Sequence, residues 1–182
     1  MRVELESGET YRDVVLRGES LAGGRLRMVE LERVQLVDCD LSNAEWEMPR
    51  LVDVTFERCR LTGLQVRRAR GTGVRFRDCQ GRYVQLVGCE LGAIFERCQL
   101  TESSIMDCQL AGAVFRSCDL TDCVLSGSKL PDADLRGCAI GGLRATIDDL
   151  AGTILDPEQA AAILSGQARI RVLPPAVDAP AV

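Results

Sequence analysis

A bulky apolar residue recurs at every fifth position of this chain, and a fixed period of that kind decides the architecture before any single element is considered. From Leu16 the series runs through Leu21, Leu26, Leu31, Leu36, Leu41, Trp46, Leu51, Phe56, Leu61 and Val66 to Phe76, Leu86 and Leu91, with breaks at Gly71 and Gly81. The next bulky residue in step is Phe95 instead of residue 96, and the period resumes from Leu100 to Leu155. Of the 29 central positions, 26 are large and apolar, the exceptions being Gly71, Gly81 and Ala145. The position two before the centre is mostly small or β-branched. All nine cysteines occupy it: Cys39, Cys59, Cys79, Cys89, Cys98, Cys108, Cys118, Cys123 and Cys138. Their odd number and the lack of any Cys-x-x-Cys pair fit neither a secreted disulfide framework nor a zinc site, so they belong to the repeat.

The number of residues per coil follows from side-chain columns, because equivalent positions in stacked coils share residue type. Six cysteines, Cys39, Cys59, Cys79, Cys98, Cys118 and Cys138, fall 20, 20, 19, 20 and 20 residues apart. The four phenylalanines, Phe56, Phe76, Phe95 and Phe115, repeat the same 19-residue step. So does a column of Val14, Val34, Val54 and Val74 followed by Ala93, Ala113 and Ala133. Four five-residue units therefore make one turn with a corner between units, and one residue is deleted between Leu91 and Phe95. About seven such coils at the strand spacing of about 4.8 Å give a rod on the order of 35 Å long.

The units CDLSN (39 to 43), CDLTD (118 to 122) and ADLRG (133 to 137) resemble the pentapeptide-repeat family, whose unit is written A(D/N)LXX with Ala or Cys first and Leu or Phe at the centre. The resemblance covers roughly residues 11 to 155, although few units carry Asp or Asn before the centre. It implies an all-β solenoid, a right-handed quadrilateral β-helix. The expected organisation is a repeat region at 1–155, a capping helix and strand at 156–173, and a disordered tail at 174–182. The helix is expected at about 157 to 165. Asp156 serves as N-cap, Pro157 suits the first turn, Glu158 complements the positive helix end, and Gly166 terminates. Ala160, Ala161, Ile163 and Leu164 would then cover the last coil. Beyond it Ile170 and Val172 alternate with Arg169 and Arg171 as in a half-buried strand. Family members dimerise through this region, and a homodimer and a fold-back of Ile170, Val172 and Leu173 onto the helix both stay open.

At 182 residues the chain suits one domain, and 46% hydrophobic with 27% charged residues is a globular composition. No apolar run reaches the roughly 20 residues that span a bilayer, and the first residues lack a secretory layout, so a cytoplasmic protein with no membrane partner is expected. The chain contains no histidine, which removes the commonest general base and metal ligand. Neither a catalytic residue nor a cofactor or metal site is expected. The cysteine column is read as core, since in-register neighbours point their Cβ atoms in parallel, a poor disulfide geometry. Asp148 and Asp149 are read as solvated surface.

Function is then expected on the outer faces, where charge falls in three zones. Residues 1 to 57 carry 13 acids against 7 bases, residues 58 to 82 carry 8 arginines against Asp78, and residues 83 to 157 carry 11 acids against 5 bases. The resemblance implies mimicry of duplex DNA, in which an acidic rod occupies the DNA-binding saddle of DNA gyrase or another type II topoisomerase and modulates or protects the enzyme. The acidic candidates are Asp40, Glu102, Asp119 and Asp122, which share the cysteine side of the rod. The alternative is a scaffold whose protein or anionic partner docks on the arginine girdle at Arg67, Arg68, Arg75 and Arg77. Direct nucleic-acid binding is not expected of a chain with net charge −5.

Overall fold

The structure, a computed structural model, describes residues 5–167. Three-residue strands centred on the periodic apolar residues stack in parallel, each pairing with the strand one coil later. Leu16 pairs with Leu36, Leu36 with Phe56 and Phe56 with Phe76 on one face, while Leu26, Trp46, Val66, Leu86, Ile105 and Leu125 align on the opposite one. The face with the six-cysteine column carries isolated bridges instead of strands, running from Ser20 through Asp40, Arg60, Gln80, Gln99 and Asp119 to Ala139. On the fourth face Tyr11, Leu31, Leu51, Gly71 and Leu91 follow one another in register. The protein is a four-sided parallel β-solenoid. Its strand-built part has six strands on the Leu26 face, fewer than the seven coils expected; past Ser126 the rungs are held by bridges such as Val124 to Arg144 and Asp134 to Ile154.

The corners explain how so tight a coil closes. The residue two after most centres adopts positive φ, between 50° and 62° at seventeen non-glycine positions including Asp38, Asn43, Asp78 and Asp122. The left-handed region suits Gly, Asn and Asp, and costs other residues roughly 1–2 kcal/mol. Each bend is held by a bond to the next coil: Asp38 N–H donates to the Glu57 carbonyl at 2.9 Å, Asn43 N–H to Thr62 at 2.8 Å and Asp53 N–H to Thr72 at 2.9 Å. The missing residue is a corner residue of this kind. Gly71 pairs with Leu91 and Val74 with Ala93, so two residues of one coil face Gly92 of the next. The strands Arg70–Arg77 and Glu90–Glu96 run unbroken around that corner and join two faces into one nine-stranded sheet. Cys79 and Cys98 stay on the same face, as the common 19-residue step requires.

The interior is filled by the centres and by the residues two before them, with Leu31, Leu36, Leu41, Val34, Val54 and Phe56 fully enclosed. The four phenylalanine rings stack along the rod with centroids 4.7 Å apart and planes within 6° of parallel. Beside them remains an apolar void of about 40 Å³.

The C-terminal end is closed by the helix α1, Pro157–Gln167. Asp156 caps it as expected, in a reciprocal box: Gln159 N–H donates to Asp156 Oδ1 at 2.9 Å and Asp156 N–H donates to Gln159 Oε1 at 3.0 Å. Two expectations are corrected. The helix continues through Gly166, and Leu164 is exposed, so the lid over the last coil is Ile163 together with Gln159. Gln159 reaches there because its Nε2 donates to the carbonyls of Leu135, which also accepts the Cys138 N–H, and of Cys138, at 2.7 and 2.9 Å. The expected strand around Ile170 and Val172 and the tail at 174–182 lie outside the described residues. Among the described residues no helix is long and apolar enough to cross a membrane.

Candidate partner-binding surfaces

The outward positions of each rung stack as regularly as the core, so surface charges meet their neighbours one coil away. All nine cysteines are buried with free thiols. Their Sγ–H groups donate to carbonyls of the preceding coil, Cys59 to Leu36 at 3.3 Å, Cys79 to Phe56 at 3.5 Å and Cys118 to Phe95 at 3.4 Å. Burial pushes the Cys123 thiol up to about 11. These sulfurs hold carbonyls and fill space.

The arginine girdle is a set of cross-rung ion pairs. Arg58 holds Asp38 at 2.8 Å and also reaches Glu57, Arg60 meets Asp40 at 3.3 Å, and Arg77 meets Glu96 at 3.0 Å. Arg70 meets Glu90 at 3.5 Å, while Arg68 bonds Glu47 and Arg82 bonds Glu102. Of the eight girdle arginines, only Arg67 and Arg75 lack an ion pair among the described residues; Arg67 donates to Gln65 Oε1 at 3.2 Å. One corner column alternates in sign, Asp38, Arg58, Asp78, Arg97, and its guanidiniums hold Asp38 and Asp78 below the ordinary carboxylate range.

Of the acidic candidates, Asp40 and Glu102 are therefore not free of bases: Arg60 and Arg82 lie across one rung from them. Among the described residues Asp119 and Asp122 make no ion pair, and Asp119 accepts the Thr121 N–H at 3.0 Å. The structure adds two residues to this set. Asp107 and Asp132 are exposed, without an ion pair among the described residues, and held outward by positive φ at other corners of the same C-terminal coils. Corner composition is the signal that marks them, since Gly, Asp and Asn dominate the position two after the centre. Asp149, by contrast, is buried: its Oδ2 accepts from Thr146 N–H at 2.9 Å and from Thr146 Oγ1 at 2.7 Å, a local cap instead of solvated surface.

The model of pentapeptide repeats matches residues 103–139 in eight copies, and the same five-residue unit, four to a coil, continues on the N-terminal side of that segment. Residues 103–139 belong to the pentapeptide-repeat family. No curated protein sequence matches it. Solved structures similar to this pentapeptide-repeat rod include a trypsin-treated form of QnrB1, described as a plasmid-mediated fluoroquinolone resistance protein. It is 16% identical over 92% of this chain and 100% of its own, with a TM-score of 0.41. Two cyanobacterial pentapeptide-repeat proteins are also similar. HetL of Nostoc sp. strain PCC 7120, described as involved in heterocyst differentiation regulation, is 15% identical over 82% of this chain and 91% of its own, with a TM-score of 0.32. Rfr23 of Cyanothece 51142 is 18% identical over 83% and 91%, with a TM-score of 0.36.

Proposed function

We propose that this pentapeptide-repeat protein is a non-catalytic binding protein that presents the acidic outer surface of its C-terminal coils to a DNA-binding groove, mimicking duplex DNA toward a type II topoisomerase such as DNA gyrase. The observation that carries the reading is the set of exposed or half-exposed carboxylates at Asp107, Asp119, Asp122 and Asp132. They project from one face and three corners and make no ion pair among the described residues. Carboxylates fixed at strand spacing on a rigid rod present a field like that of phosphates, and such competition weakens with salt. The girdle supports this reading better than the segment sums did, because most of its arginines are already matched by acids on adjacent rungs and project little net positive field.

Equilibrium binding of the labelled protein to purified DNA gyrase tests it. Binding at low salt, displaced by duplex DNA and lost in Asp119→Lys/Asp122→Lys, is the expected result. Binding that persists in that variant, or that duplex DNA leaves unchanged, contradicts it.

A further inference from the structure

On the fourth face the regular alternation of charge fails at one place. Among the strand pairings of the described residues, only Arg50 and Arg70 set two cations side by side in register; every other charged rung meets an opposite or neutral neighbour. Like charges in adjacent strand positions repel. Arg70 is loosely held by Glu90 at 3.5 Å with its side chain 78% exposed, and Arg50, in register with Glu30 on its other side, makes no ion pair among the described residues. Arg68 approaches from the neighbouring corner, tied to Glu47.

These three arginines line an open groove of about 1020 Å³. Gly71 and Gly88 line it, and at Gly71 no side chain could be accommodated: a Cβ would lie 2.3 Å from the Leu51 carbonyl oxygen. Thr72, exposed beside them, offers a hydroxyl. Glu90 is the one carboxylate lining the groove.

We infer that this groove is an anion site that takes a phosphoryl group, free or borne by a small metabolite. Two guanidinium forks held at strand spacing can each bond a pair of oxygens, and a third fork with a hydroxyl satisfies what remains of a dianion. Its charge would remove the repulsion between Arg50 and Arg70. No aromatic side chain lines the groove, so a nucleobase adds little there. A long polyanion is disfavoured by the net charge of −5 on the whole chain. The inference does not rest on the topoisomerase reading, since it concerns a different face and a different ligand.

Thermal melting of the full chain with pyrophosphate, orthophosphate or ADP, against sodium chloride of equal ionic strength, tests it. The expected result is a saturable rise in Tm with pyrophosphate and orthophosphate, with ADP no stronger than pyrophosphate. Arg50→Gln or Arg70→Gln weakens the response about tenfold, the loss of roughly one charge-assisted contact. Arg50→Gln also melts higher than the parent in phosphate-free buffer, which distinguishes relief of repulsion from misfolding. Arg17→Gln on another face leaves the response intact. A parent that responds to pyrophosphate no more than to chloride, a full response in both groove variants, or a glutamate-rich peptide that saturates at lower concentration than pyrophosphate overturns the assignment.

Discussion

Phe76 and Phe95 stack with ring centroids 4.7 Å apart and planes 3° from parallel, although 19 residues separate them where every other coil takes 20. The coil gives up a corner residue and not a position in the core, because a slip of one residue would turn every inward side chain outward. Ring overlap across the deletion therefore measures how strongly the core fixes the register.

Truncating Phe95 to Ala removes the middle of this stack and enlarges the adjacent void. A loss of roughly 3 to 5 kcal/mol in unfolding free energy is expected, the range for a buried aromatic. Urea denaturation measures it, and a loss under about 1 kcal/mol would place the ring outside the load of the core.

Corner glycines are a second test. At Gly63, φ is 71° and a Cβ would lie 2.4 Å from Asn43 Oδ1 on the preceding coil. Gly63→Ala should cost at least the roughly 1–2 kcal/mol of left-handed backbone. Asn43→Gly in the same chain should return part of the loss by removing the colliding amide. Equal stabilities for the single and double variants would contradict the contact.

The ion-pair columns predict acid sensitivity. Asp38, Asp78 and Glu102 are lowered chiefly by bonds from Arg58, Arg97 and Arg82, and Arg136 takes Asp134 down to about 2. Groups depressed in the folded state contribute stability that is complete above the ordinary carboxylate range and lost as pH falls through the folded values. Denaturation midpoints should hold near neutrality and fall between roughly pH 4 and 2, less steeply at about 1 M salt where the screening length is about 3 Å. A flat profile over that window would mean that the columns contribute nothing.

Much of this was legible in the sequence. The 19-residue step shared by cysteines, phenylalanines and the Val14 column places the deletion, and Asp156 marks the helix start. Surface pairing was less visible. Asp38, Arg58, Asp78 and Arg97 stand one coil apart in a single column, but summing charge along the chain joins Arg58 to Arg60 and Arg67 and hides the acid above each. The role of Gln159 was beyond reach, because its carbonyl acceptors on Leu135 and Cys138 lie 24 and 21 residues away in the sequence.

Burial of the thiols makes the cysteine column slow to react while the protein is folded. A thiol reagent under native conditions should label few of the nine, and all of them after unfolding. Rapid native labelling of most would place the column on the surface.

DNA supercoiling by purified gyrase at low salt, with and without this protein, measures whether its acidic coils compete with DNA for the enzyme. The expected result is inhibition at micromolar protein that weakens with salt, disappears in Asp119→Lys/Asp122→Lys, and survives replacement of Arg67 and Arg75. Supercoiling unchanged at micromolar protein and low salt, or inhibition that the acidic variant retains and the arginine variant loses, would contradict it.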